Sequence, residues 1–204
     1  MLAGCGKTVL SATVLDHLAE GNDNLILSFF FDFSDTAKQT IDGMLQSLAF
    51  QLDQGRTSSA GLLDALFQTH HQHGRNQPGT KALSDVLFEM LVVQKKVSIV
   101  LDALDESTTR NELLLWIKVI VSRPELGHVQ LICTSRPEAE FLRDIPLLIG
   151  KGNCLALDKQ AVNADIRSYV TAQLSQRHDF REKRLSQDLL ELVQRKVGDG
   201  ADGM

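Results

Sequence analysis

The sequence has few of the features that mark secreted, membrane-spanning or nucleic-acid-binding proteins. Its three cysteines in 204 residues show no paired spacing, so they predict free thiols in a reducing, cytoplasmic compartment. The longest apolar runs are too short to cross a bilayer, which argues against a membrane partner. Lysine and arginine are scattered and the net charge is −5, which argues against a nucleic-acid partner.

What the sequence does contain is enough apolar residues, 43%, for the core of an ordinary globular domain. Segments with helical spacing alternate with continuous apolar runs of strand length. The predicted strands cover residues 25–31, 97–102, 129–134 and a short fourth run at 154–157. Continuous rather than alternating apolar runs are typical of a mostly parallel sheet covered by helices on both faces, so an α/β fold is predicted.

The beginning of the chain carries the end of a phosphate-binding loop pattern and leads directly into a helical pattern. The stretch is Gly4-Cys5-Gly6-Lys7-Thr8. Glycines let the backbone N–H groups wrap around phosphate oxygens, and Cys5 contributes its N–H group. Lys7 suits the β- and γ-phosphates, and the Thr8 hydroxyl suits Mg²⁺. The position where the pattern has its first glycine is Met1.

Acidic residues follow the second predicted strand. Asp102 ends that strand, at the sheet edge where ligands bind in open α/β folds, and it can hold Mg²⁺ through water. Asp105 and Glu106 follow in the next loop, and either one can accept a proton from an attacking water or orient it. The alternative is that these carboxylates form an acidic cap for the following helix.

Hydroxyl and guanidinium groups follow the third predicted strand, in Thr134-Ser135-Arg136-Pro137. An arginine at this edge can donate to a γ-phosphate and so sense its presence. The alternative is a surface arginine beside a turn proline. Arg110 and Arg123 can also act in trans on a neighbour's nucleotide, but nothing in the sequence selects them.

Taken together, these motifs resemble the NACHT-type P-loop NTPases of the STAND class. The likeness is strongest to the nephrocystin 3-like module of fungal NOD-like receptor proteins, and it extends to residues 165–170 and 200–204 near the end of the chain. The resemblance implies a P-loop NTPase three-layer sandwich that lacks its first, central strand and is followed by C-terminal helices. It divides the chain into an NTPase core at 1–158 and the start of a helical part at 159–204.

The resemblance also implies a function, namely Mg²⁺-dependent binding and slow hydrolysis of ATP, or GTP, as a signalling switch that controls self-association. Carried over to this chain, Lys7 binds phosphates, Thr8 and Asp102 serve Mg²⁺, and Arg136 is the sensor. Asp105 and Glu106 are the acidic pair of hydrolysis.

Departures from the family pattern leave a second reading open. The first loop glycine and the strand before it are absent, so we expect a fragment of a longer protein. The alternative function is a non-hydrolysing interaction module without competent nucleotide binding. A small-molecule kinase with the same loop is disfavoured, because no lid over an acceptor substrate is evident.

Overall fold

The computed structural model describes residues 6–21, 24–54, 61–72, 78–157, 159–176 and 186–200. Their helices are α1 (Lys7–Ala19), α2 (Ile41–Gln54), α3 (Leu62–Gln72), α4 (Thr80–Val92), α5 (Arg110–Ser122), α6 (Ala139–Ile149), α7 (Lys159–Gln176) and α8 (Gln187–Gly200). Residues 7–153 form one compact unit, and α7 packs against α8 in a second. Among the described residues no helix is both long and apolar enough to span a membrane.

The sheet of the first unit has three parallel strands, β1 (Leu25–Phe30), β2 (Val97–Asp102) and β3 (Val129–Cys133), in the order β1-β2-β3. Parallel neighbours need long crossover connections, and the helices between the strands supply them. The prediction of a parallel α/β sheet is therefore confirmed. Because the strands are parallel, their carboxyl ends share one edge, which is where the acidic and hydroxyl side chains lie.

The central strand β2 is buried along its whole length, with all six residues in the interior. Its side chains alternate between two faces. Val97, Ile99 and Leu101 belong to the main hydrophobic core together with residues of β1, α2, α4 and α5. On the opposite face, α1 covers the end of the strand, where Ser11 reaches the side chain of Asp102. Burial on both faces explains why the strand reads as a continuous apolar run.

The predicted fourth strand at 154–157 is wrong. These residues form no strand, and Leu155 is 92% exposed. A strand needs a neighbour that pairs with its backbone N–H and C=O groups, and a short apolar run does not specify one. Within the described residues the sheet therefore has three strands rather than four.

The helix after β3 spans Ala139–Ile149. It continues as α6 through Pro146, which removes one backbone donor and would ordinarily end a helix. Phe141, Ile145 and Leu148, spaced along one helical face, pack against the core. This packing stabilises the helix beyond what its local sequence favours.

Candidate functional site

The centre of the site is the carboxylate of Asp102, which is buried at the end of β2 and accepts hydrogen bonds from three hydroxyls. Thr8 Oγ1 donates to Oδ2 at 2.7 Å, and Ser11 Oγ donates to Oδ1 at 2.6 Å. Thr134 Oγ1 donates to the same Oδ1 at 2.6 Å. Helix α1, strand β2 and the segment after β3 therefore meet at one carboxylate, and these hydrogen bonds offset the cost of burying it.

The backbone turns sharply after Asp102, and Thr134 holds that turn. Ala103 has a left-handed conformation, with φ 57° and ψ 51°. Its N–H donates to Thr134 Oγ1 at 3.1 Å, and the N–H of Leu104 donates to the backbone oxygen of Thr134 at 2.9 Å. The Thr134 hydroxyl thus accepts from the turn while it donates to the carboxylate, so the turn and the buried carboxylate share one support.

The last two residues of the predicted phosphate loop, Lys7 and Thr8, form the start of α1. Lys7 is the first residue of the helix and is half-buried, and Thr8 follows it. Gly6, directly before the helix, has φ 79°, a conformation that favours glycine. Gly4 and Cys5 lie outside the described residues. Thr8 and Asp102, the two residues predicted to serve Mg²⁺, are in direct contact.

A second cluster is formed by Asp105, Glu106 and Arg136. Asp105 and Glu106 lie on the 3₁₀ turn Leu104–Glu106, here called the acidic turn, and Arg136 contacts both of them. The N–H of Arg136 donates to Asp105 Oδ1 at 2.6 Å, and its Nε lies 3.3 Å from Oδ2. Its Nη2 lies 3.9 Å from Glu106 Oε1. The other oxygen of Glu106 accepts the N–H of Phe33 at 3.0 Å. The three residues predicted for hydrolysis and sensing are therefore neighbours.

The loop after β1 is tied to the residues that follow the acidic turn. The backbone oxygen of Gln39 accepts the N–H and the hydroxyl of Thr108, at 2.8 and 3.0 Å, and the hydroxyl of Ser107 at 3.3 Å. The Gln39 side chain donates to the backbone oxygen of Phe33 at 2.6 Å. Loops after β1 and β2 thus form one hydrogen-bonded layer at the carboxyl edge of the sheet.

The residues at this edge fit a magnesium ion. Thr8 and Asp102 offer only oxygen donors, which is the ligand type that Mg²⁺ prefers. Both carboxylate oxygens of Asp102 already accept hydroxyls, so Asp102 would reach the ion through water. Within the described ranges, no three His, Cys, Asp or Glu side chains gather as a metal site. Two protein oxygen donors suit Mg²⁺, which usually keeps several of its waters.

Three contacts of the structure are not predicted from the sequence. Ser11 lies three residues after Thr8 and therefore on the same helical face, a spacing that indicates their shared partner. Arg110 binds its own acidic turn through the backbone oxygen of Asp105, a contact that no local pattern indicates. Arg123 lies over the ring of Phe88, 4.3 Å from its centre.

Comparison with protein-family models gives a match over residues 2–136, to the model described as nephrocystin 3, N-terminal. The match covers more than half of the chain. The chain belongs to the nephrocystin 3 N-terminal family. The matched region includes every residue of both clusters and ends at Arg136, so the nephrocystin 3 N-terminal segment carries the candidate site. A comparison with curated proteins gave no match.

Proposed function

We propose that this chain binds a nucleoside triphosphate, ATP or GTP, with Mg²⁺ and hydrolyses it slowly as a switch for self-association, in the manner of NOD-like receptor NTPases. The observation that carries the proposal is the hydrogen bond of 2.7 Å between Thr8 and Asp102. It joins the helix start that follows a glycine-rich loop to a carboxylate at the end of a parallel strand, where ligands of α/β sheets bind.

Phosphate binding is assigned to the start of α1. Backbone N–H groups at a helix N-terminus attract phosphate oxygens, and the ammonium of Lys7 adds a positive charge at the same place. Mg²⁺, when bound, would neutralise charge on the β- and γ-phosphates. Thr8 and Asp102 would hold the ion, Thr8 directly and Asp102 through water. The chemical step is assigned to the second cluster.

Hydrolysis is assigned to the acidic turn. Glu106 accepts a proton from a water whose oxygen bonds to the γ-phosphorus, while the bond from that phosphorus to the bridging oxygen breaks. The guanidinium of Arg136 stabilises the charge that develops on the phosphoryl oxygens. The N–H of Phe33 donates to Glu106 Oε2, so the attacking water would share that oxygen with it or contact Oε1.

A second candidate is an interaction module that does not hydrolyse nucleotide. One observation favours it: Glu106 Oε2 accepts a backbone N–H, and Oε1 lies 3.9 Å from Arg136. Both oxygens of this carboxylate already have partners, so an attacking water must share or displace one of these contacts. Binding and turnover must therefore be tested separately.

Binding is tested by thermal unfolding of the full chain with Mg·ATP, Mg·GTP and Mg·ADP. A ligand that binds only the folded state raises the midpoint, and the larger shift between ATP and GTP identifies the preferred base. Lys7→Ala should abolish the shift, whereas Lys81→Ala, a change of an exposed lysine on α4, should leave it intact. The absence of a shift in the wild-type chain would overturn the proposal.

Turnover and switching are tested next. Phosphate release should fall at least tenfold in Glu106→Gln, an effect typical of a lost general base. Binding without any phosphate release would support the interaction module instead. Light scattering with Mg·ATP and Mg·ADP should show two different assembly states, and the same mass in both would remove the switch from the proposal.

A further inference from the structure

Arg110, the first residue of α5, turns its side chain back onto the acidic turn. Its Nη2 donates to the backbone oxygen of Asp105, and its Nε donates to the backbone oxygen of Ser107 at 3.2 Å. Its Nη1 donates to Glu140 Oε1 at 2.7 Å. One guanidinium therefore binds three acceptors, two of them on the backbone that carries the candidate carboxylates.

This position is electrostatically unfavourable for a cation. The N-terminus of a helix carries a partial positive charge, so acidic residues are preferred there. Arg110 is also half-buried, with its guanidinium 6.0 Å from the centre of the Phe141 ring. The two carbonyl oxygens and the carboxylate of Glu140 compensate for both effects. The planar guanidinium has several donors in fixed directions and can bind all three acceptors, whereas the single ammonium of a lysine cannot.

Glu140 links Arg110 to the segment that carries Arg136, the assigned sensor. It lies in the first turn of α6, shortly after Arg136 along the chain. The backbone N–H group of Glu140 and the guanidinium of Arg110 hold the pKa of this carboxyl below its ordinary value, so it is charged at neutral pH. The acidic turn is thus held on two sides. Arg136 binds its carboxylates, and Arg110 binds its backbone.

We propose that Arg110, held by Glu140, is a positioning residue that fixes the acidic turn for hydrolysis. The inference rests on the proposed function, because the acidic turn carries Glu106, the assigned base. Arg110 contacts the backbone oxygen of Asp105 rather than any reacting atom. Its effect on the reaction passes through the orientation of the Glu106 carboxylate.

Separate effects on binding and on chemistry follow from this geometry. Nucleotide binding is assigned to Lys7 and Thr8. The three acceptors of Arg110 lie on other residues, Asp105, Ser107 and Glu140. Loss of Arg110 should therefore lower kcat about tenfold, since small misplacements of a catalytic group cost one to two orders of magnitude in rate. The KM should change less than about twofold, because ground-state binding is retained.

The first test compares Arg110→Met with Arg143→Met in the full chain. Arg143 is a matched control, because it also pairs with a carboxylate on α6, that of Asp144, but is 71% exposed and distant from the turn in sequence. Arg110→Lys should behave like Arg110→Met, since one ammonium cannot bind three acceptors. An unchanged kcat in Arg110→Met, in a chain that hydrolyses nucleotide, would overturn the proposal.

The second test does not need nucleotide. The N–H groups of Glu106 and Ser107 donate to the backbone oxygens of Ala103 and Leu104, at 2.9 and 3.1 Å. Hydrogen exchange at these two amides should become at least about fivefold faster in Arg110→Met and remain unchanged in Arg143→Met. Unchanged exchange would overturn the positioning role even if the wild-type chain proved inactive. An inactive wild type with faster exchange in Arg110→Met would overturn only the proposed function.

A third variant keeps the proposal testable if Arg110→Met does not fold. Glu140→Gln leaves both contacts of Arg110 to backbone oxygens possible and removes only the charge of its partner. The amide exchange of Glu106 and Ser107 should then rise in the same direction, by a smaller factor. No change in this variant would remove Glu140 from the proposal.

Discussion

Asp105 binds Arg136 through both of its carboxylate oxygens, one to the backbone N–H at 2.6 Å and the other to Nε at 3.3 Å. Asp105 is buried, whereas the side chain of Arg136 is 34% exposed. The guanidinium therefore has a negative partner before any phosphate is present. A γ-phosphate that recruits Arg136 must compete with Asp105, so this pair should set how strongly the site distinguishes triphosphate from diphosphate.

The first prediction concerns this competition. Asp105→Asn keeps an oxygen that can accept the N–H of Arg136 but removes the charge. We expect the affinity for triphosphate relative to diphosphate to rise about threefold to fivefold, which corresponds to the ~1 kcal/mol of a partly exposed ion pair. Calorimetric titration with Mg·ADP and a non-hydrolysable Mg·ATP analogue measures the ratio. Asp144→Asn, a matched change beside Arg143, should leave the ratio as it is in the wild type.

The second prediction concerns the hydroxyl of Thr134. Thr134→Val keeps the shape of the side chain but leaves the Ala103 N–H without its acceptor and Asp102 without one donor. Because unpaired buried polar groups are costly, the free energy of unfolding should fall by about 2–3 kcal/mol. Thr134→Ser retains the hydroxyl and should lose less than about 1 kcal/mol. Urea denaturation compares them, and equal stability of the two variants would show that the hydroxyl contributes nothing.

The third prediction is a pH dependence at Asp32, in the loop after β1. Its Oδ1 accepts the hydroxyl and the N–H of Ser34, at 2.6 and 2.8 Å, and these bonds hold the pKa of Asp32 below its ordinary value. A folded-state pKa below the unfolded one means that the stabilisation is present above the unfolded pKa. It is lost as the pH falls through the folded pKa.

Substitution of Ser34 tests this assignment. Ser34→Ala removes the side-chain hydrogen bond, which is the larger cause, so the pKa of Asp32 should move up towards its ordinary value. An NMR titration of the carboxyl carbon between about pH 6 and about pH 2 spans the ordinary range of aspartate pKa values. Ser122→Ala, which removes a hydroxyl at the end of α5, is the control. A pKa of Asp32 that stays low in Ser34→Ala would assign the shift to the backbone N–H of Ser34 and the charge of Lys38.

All three strands of the sheet could be predicted from their apolar runs, and β2, which alone among the three is buried along its whole length, has the predicted bounds at both ends. Strand β2 begins and ends where its apolar run does, because both of its faces are covered and Asp102 ends it at the carboxyl edge of the sheet. The meeting of Thr8 with Asp102 follows from the order of the two motifs along the chain. In contrast, residues 154–157 are also apolar but pair with no strand in the part of the chain that the structure describes, and an apolar composition alone does not distinguish these two situations.

The contacts that could not be predicted depend on the direction of side chains across the fold. From the sequence, Arg110 can act on a neighbouring molecule, yet in the structure its guanidinium turns back onto its own acidic turn. Gln39 and Phe33 lie in a polar loop without a motif, and their role appears only when the loops after β1 and β2 are adjacent. Such long-range hydrogen bonds have no period in the sequence, so no sequence pattern indicates them.

The side of β1 opposite β2 shows another such contact, between Gln51 of α2 and the backbone of Ser28. The side-chain oxygen of Gln51 accepts the N–H of Ser28 at 2.9 Å, and its Nε2 donates to the backbone oxygen of Ser28 at 2.8 Å. The carboxamide thus pairs with the strand as a neighbouring backbone would. It satisfies two backbone groups at a place where another chain could add a strand.

The last prediction replaces this carboxamide with a carboxyl group. In Gln51→Glu the charged carboxylate can accept the Ser28 N–H but repels the Ser28 backbone oxygen, so the free energy of unfolding at neutral pH should fall by about 1–2 kcal/mol. The protonated carboxyl can donate, so folding should raise its pKa. The stability is then fully present below the unfolded pKa and is lost as the pH rises through the folded pKa. Urea denaturation at about pH 4 and about pH 7 brackets the ordinary pKa of glutamate.

Gln46→Glu, at an exposed position of the same helix, is the control. A stability difference between the two variants that is the same at both pH values would contradict the pairing of Gln51 with Ser28.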